Sequence, residues 1–258
     1  MTAPREGMSG ERAPAGEYWW WMTLRSFADV AHEWAVPDEE IKVQHRTAGP
    51  SPTGPGREVD RVPALLLKAH DALRGATHLI APLGASESAG RSTTYAQSLS
   101  AFLKEVEDAT STALGGTLDE ADRRSVLMAL YVRGDAGRIA VLIEQVGDLA
   151  ARRGAQGFAG PALRPVLELG ESCVNLVAQA HDVLRLPGPL TVLDQGLADV
   201  TASQRRLSGL LLTSDLHCSA REAADAAVLG RCYEECAWRA VALAGVGLQA
   251  RDSATSGR

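Results

Sequence analysis

Residues 134–150 read GDAGRIAVLIEQVGDLA, and residues 224–241 read ADAAVLGRCYEECAWRAV. In the first stretch Ile139, Leu142, Ile143, Val146, Leu149 and Ala150 recur at steps of three and four. That is the period of a helix that buries one face. The second stretch continues the same habit through Leu229, Tyr233, Cys236, Ala237, Ala240, Ala244 and Leu248. Aligned on their Asp, Glu and apolar positions, the two stretches read as copies of one helix. An internal duplication is the first expectation about the fold.

Working outward, each copy closes a group of three helical segments. Residues 59–80 form the first, with Pro63 tolerable only in an opening turn. Residues 93–114 form the second, where Thr94 and Gln97 could make a capping box. The third opens at Thr117 with Glu120 three residues on and runs to about Arg153; Gly134 and Gly137 favour a kink or break in its middle. After a Gly/Pro-rich turn, residues 163–184 carry Leu163, Val166, Leu167, Val174, Val177 and Leu184 on one stripe. Residues 190–212 repeat Leu193, Leu197, Val200, Leu207 and Leu211, and Ser219 with Glu222 caps a last helix to about residue 249. The expected architecture is all-α: two tandem three-helix bundles, residues 59–155 and 160–250, with an N-terminal extension.

The extension reads in two parts. Residues 1–16, rich in Pro, Gly, Ser and charge, have the composition of a disordered tail, as do residues 251–258. Residues 17–58 contain Tyr18-Trp19-Trp20-Trp21-Met22, a short amphipathic helix ended by Pro37, and a Pro/Gly linker over 47–58. Three consecutive tryptophans cannot all face one core. At least one is expected on the surface or docked on a partner.

Composition removes several functions. Hydrophobic residues make up 45% and charged residues 22% of the 258, enough for a sizeable core. With 26 Lys and Arg against 32 Asp and Glu, the net charge of -6 argues against a nucleic-acid partner. Apolar runs fall well short of the roughly 20 residues of a membrane span, and the N-terminus lacks a signal pattern. A cytoplasmic protein, peripheral to a membrane at most, is the expectation. Four cysteines in such a chain do not make a disulfide scaffold. Cys232 and Cys236, with His217-Cys218 nearby, raise a zinc site, but CxxC knuckles are missing and a packed pair is the plainer reading. No Glu-x-x-His, phosphate loop, dinucleotide fingerprint or serine elbow occurs, and none of the six histidines pairs with another at i+4. No catalytic residue is assigned, and the chain reads as a non-enzyme.

The two stretches resemble the repeat signature of the PhoU family, phosphate-uptake regulators built from two three-helix bundles. There an Asp precedes an Arg-Ile pair, followed by Glu-Arg-(hydrophobic)-Gly/Ala-Asp-(His)-Ala. Asp135, Arg138-Ile139, Glu144, Gly147-Asp148 and Ala150 fit the first copy, and Gly230-Arg231-Cys232-Tyr233-Glu234 is similar to the family's Gly-Arg-Tyr-Tyr-Glu in the second. Leu163-Arg164 and Glu168-Leu169-Gly170-Glu171 also fit. The likeness spans about residues 60–250 and is strongest over 130–250; the Trp-rich extension has no counterpart in it.

Glu and Asp four apart share a helix face, so Glu144 and Asp148 can reach one cation. With the aliphatic stripe inward, both face solvent. The resemblance implies that such pairs hold multinuclear iron or zinc. Glu144, Asp148 and Glu234 are thus candidate ligands for a divalent, iron or zinc ion at a degenerate site. In the second copy Trp238 stands for the Asp and Arg239 for the His, which should weaken or abolish that cluster. Asp135, Arg138, Asp225 and Arg231 read instead as ion-pair residues. Trp238 falls off the apolar stripe, which marks it, with Trp19, Trp20 and Trp21, as a candidate partner contact. The alternative for Trp238 is packing against a neighbouring helix. The resemblance further implies a homodimer contacting a phosphate transporter complex and a sensor histidine kinase. The competing expectation is a divergent helical scaffold no longer tied to phosphate.

Overall fold

The computed structural model describes residues 61–80, the helical positions Gln97, Ser100, Ala101 and Lys104, and residues 120–153, 161–186, 190–213 and 218–256. The tryptophans at 19–21, the linker and most of the expected second helix lie outside the described residues. Five helices are defined: α1 (Val62–His78), α2 (Glu120–Arg153), α3 (Leu163–Arg185), α4 (Thr191–Leu211) and α5 (Ala220–Ser256). The described residues contain no strand, so the all-α expectation holds.

Local chemistry explains the ends. Pro63 sits in the first turn of α1, where its missing N–H costs no helical bond. The Ser219–Glu222 capping box forms as read: the Glu222 N–H donates to Ser219 Oγ at 3.2 Å, and the Ser219 N–H donates to Glu222 Oε2 at 3.0 Å. These bonds pull the Glu222 carboxyl below its usual range. Two expectations need correction. Helix α2 runs unbroken through Gly134 and Gly137, although each glycine costs about 1 kcal/mol against alanine in a helix interior. Helix α5 continues to Ser256 instead of fraying after residue 250. Ala250 packs against the core, Arg251 donates to the Leu184 carbonyl at 3.4 Å, and no Gly or Pro follows until Gly257.

Helices α3, α4 and α5 pack against one another, forming a three-helix bundle; α1 packs on α3 and α2, and α2 packs on α5. Most of the stripe residues read from the sequence are core, with Leu163, Leu167, Leu184, Leu211 and Leu248 partly buried against it; Ile139, Leu142, Ile143, Val146, Leu149 and Ala150 on α2 are all buried. So are Leu193, Leu197, Val200 and Leu207 on α4, and Leu229, Tyr233, Cys236, Ala237, Ala240 and Ala244 on α5. The duplication reappears in burial. Ala136, Ile139, Ala140, Leu142, Ile143, Val146 and Ala150 are buried, as are their aligned counterparts Ala226, Leu229, Gly230, Cys232, Tyr233, Cys236 and Ala240.

Close contacts among three helices converge on Tyr233. Its ring is fully buried, and its hydroxyl shares a 3.0 Å hydrogen bond with Thr77 of α1. The Thr77 hydroxyl is 2.8 Å from the Leu73 carbonyl, and the Cys173 thiol of α3 donates to the Tyr233 carbonyl at 3.1 Å. A Cβ on Gly170 would stand 2.8 Å from Thr77 Cγ2 and 3.0 Å from the Tyr233 ring, so only glycine fits. Burial pushes the Tyr233 hydroxyl and the Cys173 and Cys236 thiols well above their ordinary ranges. All four cysteines are free thiols, three of them buried, as the packed reading expects.

Candidate functional site

The residues singled out by the repeat signature lie on α2 and α5, which run antiparallel. Asp135 meets Arg239, Arg138 meets Glu235, Gln145 meets Cys232, and Arg153 meets Asp225, so numbers rise on one helix as they fall on the other. Polar side chains at the edges of the two stripes therefore face each other across a seam.

At one end, four charges form a chain. Arg239 donates to Asp135 Oδ1 at 2.6 Å and to Glu235 Oε1 at 3.0 and 3.1 Å. Arg138 grips the same Glu235 through both its oxygens, at 2.8 and 3.0 Å. Such forked, charge-assisted bonds fix direction as well as distance. At the other end Arg153 donates twice to Asp225 Oδ2, at 2.6 and 3.0 Å, with Glu222 3.6 Å away. Asp135 and Asp225 occupy aligned positions in the two copies, and each pairs with an arginine of the other copy. The ion-pair reading of Asp135, Arg138 and Asp225 is borne out. Arg231 is exposed and makes no such pair among the described residues.

Two arginines hold the Glu235 carboxyl far below the usual carboxylate range, at about 2; the Arg138 hydrogen bonds contribute most. Asp135 behaves oppositely, because burial raises its carboxyl more than Arg239 lowers it. The consequence for stability has a definite sign. Glu235 contributes in full above about pH 4.5, and the contribution drains away as pH falls toward 2. Solvent around the partly exposed Arg138 trims this to about 1–2 kcal/mol. Glu235→Gln is expected to lower stability by that amount at pH 7 and to flatten the acid limb between those pH values. Urea titrations from pH 2 to 7 measure it; an unchanged acid limb would refute the assignment.

The candidate metal ligands separate. Glu144 and Asp148 are exposed on the outer face of α2, as expected, whereas Glu234 is half-buried on α5. Among the described residues no three His, Cys, Asp or Glu side chains are placed to hold a metal ion. Two exposed carboxylates make a weak donor set, and the second copy offers Trp238 and Arg239 instead of donors. Among the described residues these side chains alone do not make up the donor set of a closed iron or zinc cluster. The Arg239 guanidinium, already bonded to two carboxylates, supplies an internal positive charge there. Trp238 is half-buried and packs against the core from the edge of the stripe, the packing alternative of the two readings. Glu144 also lines an open groove of about 640 Å³ beside Leu130, Gly134, Val141, Ser100 and Lys104.

Sequence reasoning did not pick out Glu235 or Arg153. The i,i+4 spacing of Glu235 and Arg239 was a readable signal for the former. Arg153 pairs only through the helix register, which no local spacing encodes.

No family model and no curated protein matches the chain. Among solved structures, the crystal structure of PhoU from Pseudomonas aeruginosa is similar, with a TM-score of 0.62 at 15% identity. The match covers 76% of this chain and 98% of that one. At this identity the likeness speaks for the fold, and the chain carries the fold of PhoU.

Proposed function

We propose that the chain is a PhoU-like regulator of phosphate uptake and phosphate-starvation signalling, working as a non-enzymatic cytoplasmic adaptor. Its partners in this reading are a phosphate transporter complex and a sensor histidine kinase. The supporting observation is the fold, which matches almost the whole length of a PhoU. The site chemistry agrees with an adaptor. Asp135, Arg138, Arg153, Asp225, Glu235 and Arg239 are spent on one another in interhelix pairs, and buried thiols are held protonated. No helix among the described residues is long and apolar enough to cross a membrane.

A second reading, a helical scaffold released from phosphate signalling, is favoured by one specific observation. Trp238 and Arg239 stand where the repeat signature carries donors, and Arg239 is tied to Asp135 and Glu235. Affinity capture of the tagged full chain from cells grown with high and low phosphate separates the two. Recovery of a phosphate transporter or histidine kinase subunit supports the regulator. Failure to recover either under both conditions supports the scaffold.

A further inference from the structure

Four helices come to one end of the described fold together. A Cβ on Gly230 of α5 would stand 3.1 Å from Leu207 of α4 and 3.8 Å from Leu169 of α3, and Arg153 of α2 bonds Asp225 of α5. The last turns of α2 and α4 and the first turns of α3 and α5 therefore lie at the same end. Leu212, in the turn that leaves α4, is 88% exposed, the most of any large hydrophobic among the described residues, and Leu210 is exposed as well. An exposed leucine is ordinary by itself. The charges around this pair set it apart.

The chain as a whole is acidic, at -6, yet this end is basic. Arg206 precedes Leu210 by four residues and Arg205 precedes Leu212 by seven, so the exposed arginines share the outward side with the leucines. Exposed Arg152 closes α2, and exposed Arg221 opens α5. Carboxylates near this end are already engaged: Glu222 and Asp225 pair with Arg153, and Glu168 pairs with Arg164. In the adjoining two turns of α2 to α5, among the described residues, Asp148 alone is left to offset those arginines. Helix α4 carries its own acids, Asp194 and Asp199, in its first half.

The opposite end supplies the contrast. Leu186 and Leu190 are 66% and 53% exposed there, but exposed Asp182 and Asp194 accompany them.

We propose that the α4–α5 end of the bundle docks on an anionic lipid bilayer. Leu210 and Leu212 enter the boundary between headgroups and acyl chains, and Arg152, Arg205, Arg206 and Arg221 meet lipid phosphates. Forked guanidinium donors suit phosphate oxygens. A bilayer yields to a protruding apolar knob ringed by cations, whereas a protein partner needs a cleft shaped to receive it. The inference concerns membrane contact alone and stands whether or not the phosphate reading does.

Co-sedimentation of the full chain with vesicles tests it, using phosphatidylcholine alone and phosphatidylcholine mixed equally with phosphatidylglycerol. Binding to the mixed vesicles is expected to be about tenfold tighter or more, and to weaken as salt is raised. Each arginine near the surface is worth roughly fivefold in partition, so Arg205→Glu combined with Arg206→Glu should weaken binding at least about tenfold. Leu212→Glu should weaken it about as much, and Leu190→Glu at the opposite end should leave it unchanged. All four side chains are exposed, and circular dichroism melts verify folding of each variant. Equal binding to the two vesicles, or binding to neither, would overturn the proposal. So would binding that survives both the arginine and the Leu212 variants, which would place the contact elsewhere. Variants that lose a captured protein partner, in a chain that binds no vesicle, would overturn it in favour of a protein surface.

Discussion

Tyr233→Ala is expected to lower the free energy of unfolding by about 3–5 kcal/mol, the usual cost of removing a large aromatic from a core. The side chain is fully buried where α1, α3 and α5 meet, so no exposed loop can collapse into the void. Neighbouring groups are held from two sides by the Thr77 hydroxyl and the glycine at 170. Tyr233→Phe separates volume from hydrogen bonding. It keeps the ring and gives up one neutral bond, while Thr77 retains the Leu73 carbonyl at 2.8 Å. A loss of about 1 kcal/mol is expected. Urea denaturation with a common slope distinguishes the two, and an alanine variant losing no more than the phenylalanine variant would contradict the placement.

Gly170→Val is expected to cost about 3 kcal/mol through overpacking. The added Cβ would stand 2.8 Å from Thr77 Cγ2 and 3.0 Å from Tyr233 Cζ, inside contact distance of two side chains that are themselves enclosed. Pairing Gly170→Val with Tyr233→Phe and Thr77→Ser probes the crowding. Trimming Thr77 removes the methyl nearest the new Cβ, and Tyr233→Phe removes a hydroxyl oxygen that would stand 3.0 Å from it, so each should recover part of the loss. Thermal melts of the two pairs and their single variants read this, and strict additivity in both pairs would refute the contact.

Much of the fold was legible in the chain because large aliphatics carry the period of the helix. The stripes on α2, α4 and α5 became core residues, and the outward setting of Glu144 and Asp148 followed from the inward setting of Ile139 and Ile143. What local spacing does not encode is register between distant helices. Asp135, Arg138 and Asp225 could be assigned to ion pairs, but their partners Arg239, Glu235 and Arg153 depend on how α2 lies on α5. Thr77 escaped notice because a hydroxyl breaks an apolar pattern, although its position four residues after Leu73 puts it on the buried side. Trp238 shows the opposite error of a simple in-or-out division. A residue at the edge of a stripe can be partly buried with its large ring packed against the core. Gly134 and Gly137 read as a weak point in the helix, yet α2 is continuous there because the helix is held by burial on its opposite side.

The seam also shows what Arg239 does in this fold. Arg239 brings its own positive charge between Asp135 and Glu235, and Arg138 completes the neutralisation of Glu235. Carboxylates left without those arginines would sit close together at partial burial, a costly arrangement.

Whether α2 and α5 are the facing members of a duplicated fold, in the register described, is tested most directly by a double-mutant cycle on Asp135 and Arg239. Unfolding free energies of wild type, Asp135→Ala, Arg239→Ala and the double variant give the coupling. A coupling of about 1–2 kcal/mol is predicted for side chains bonded at 2.6 Å across the seam. Effects that simply add, to within about 0.3 kcal/mol, would mean that the two residues do not meet.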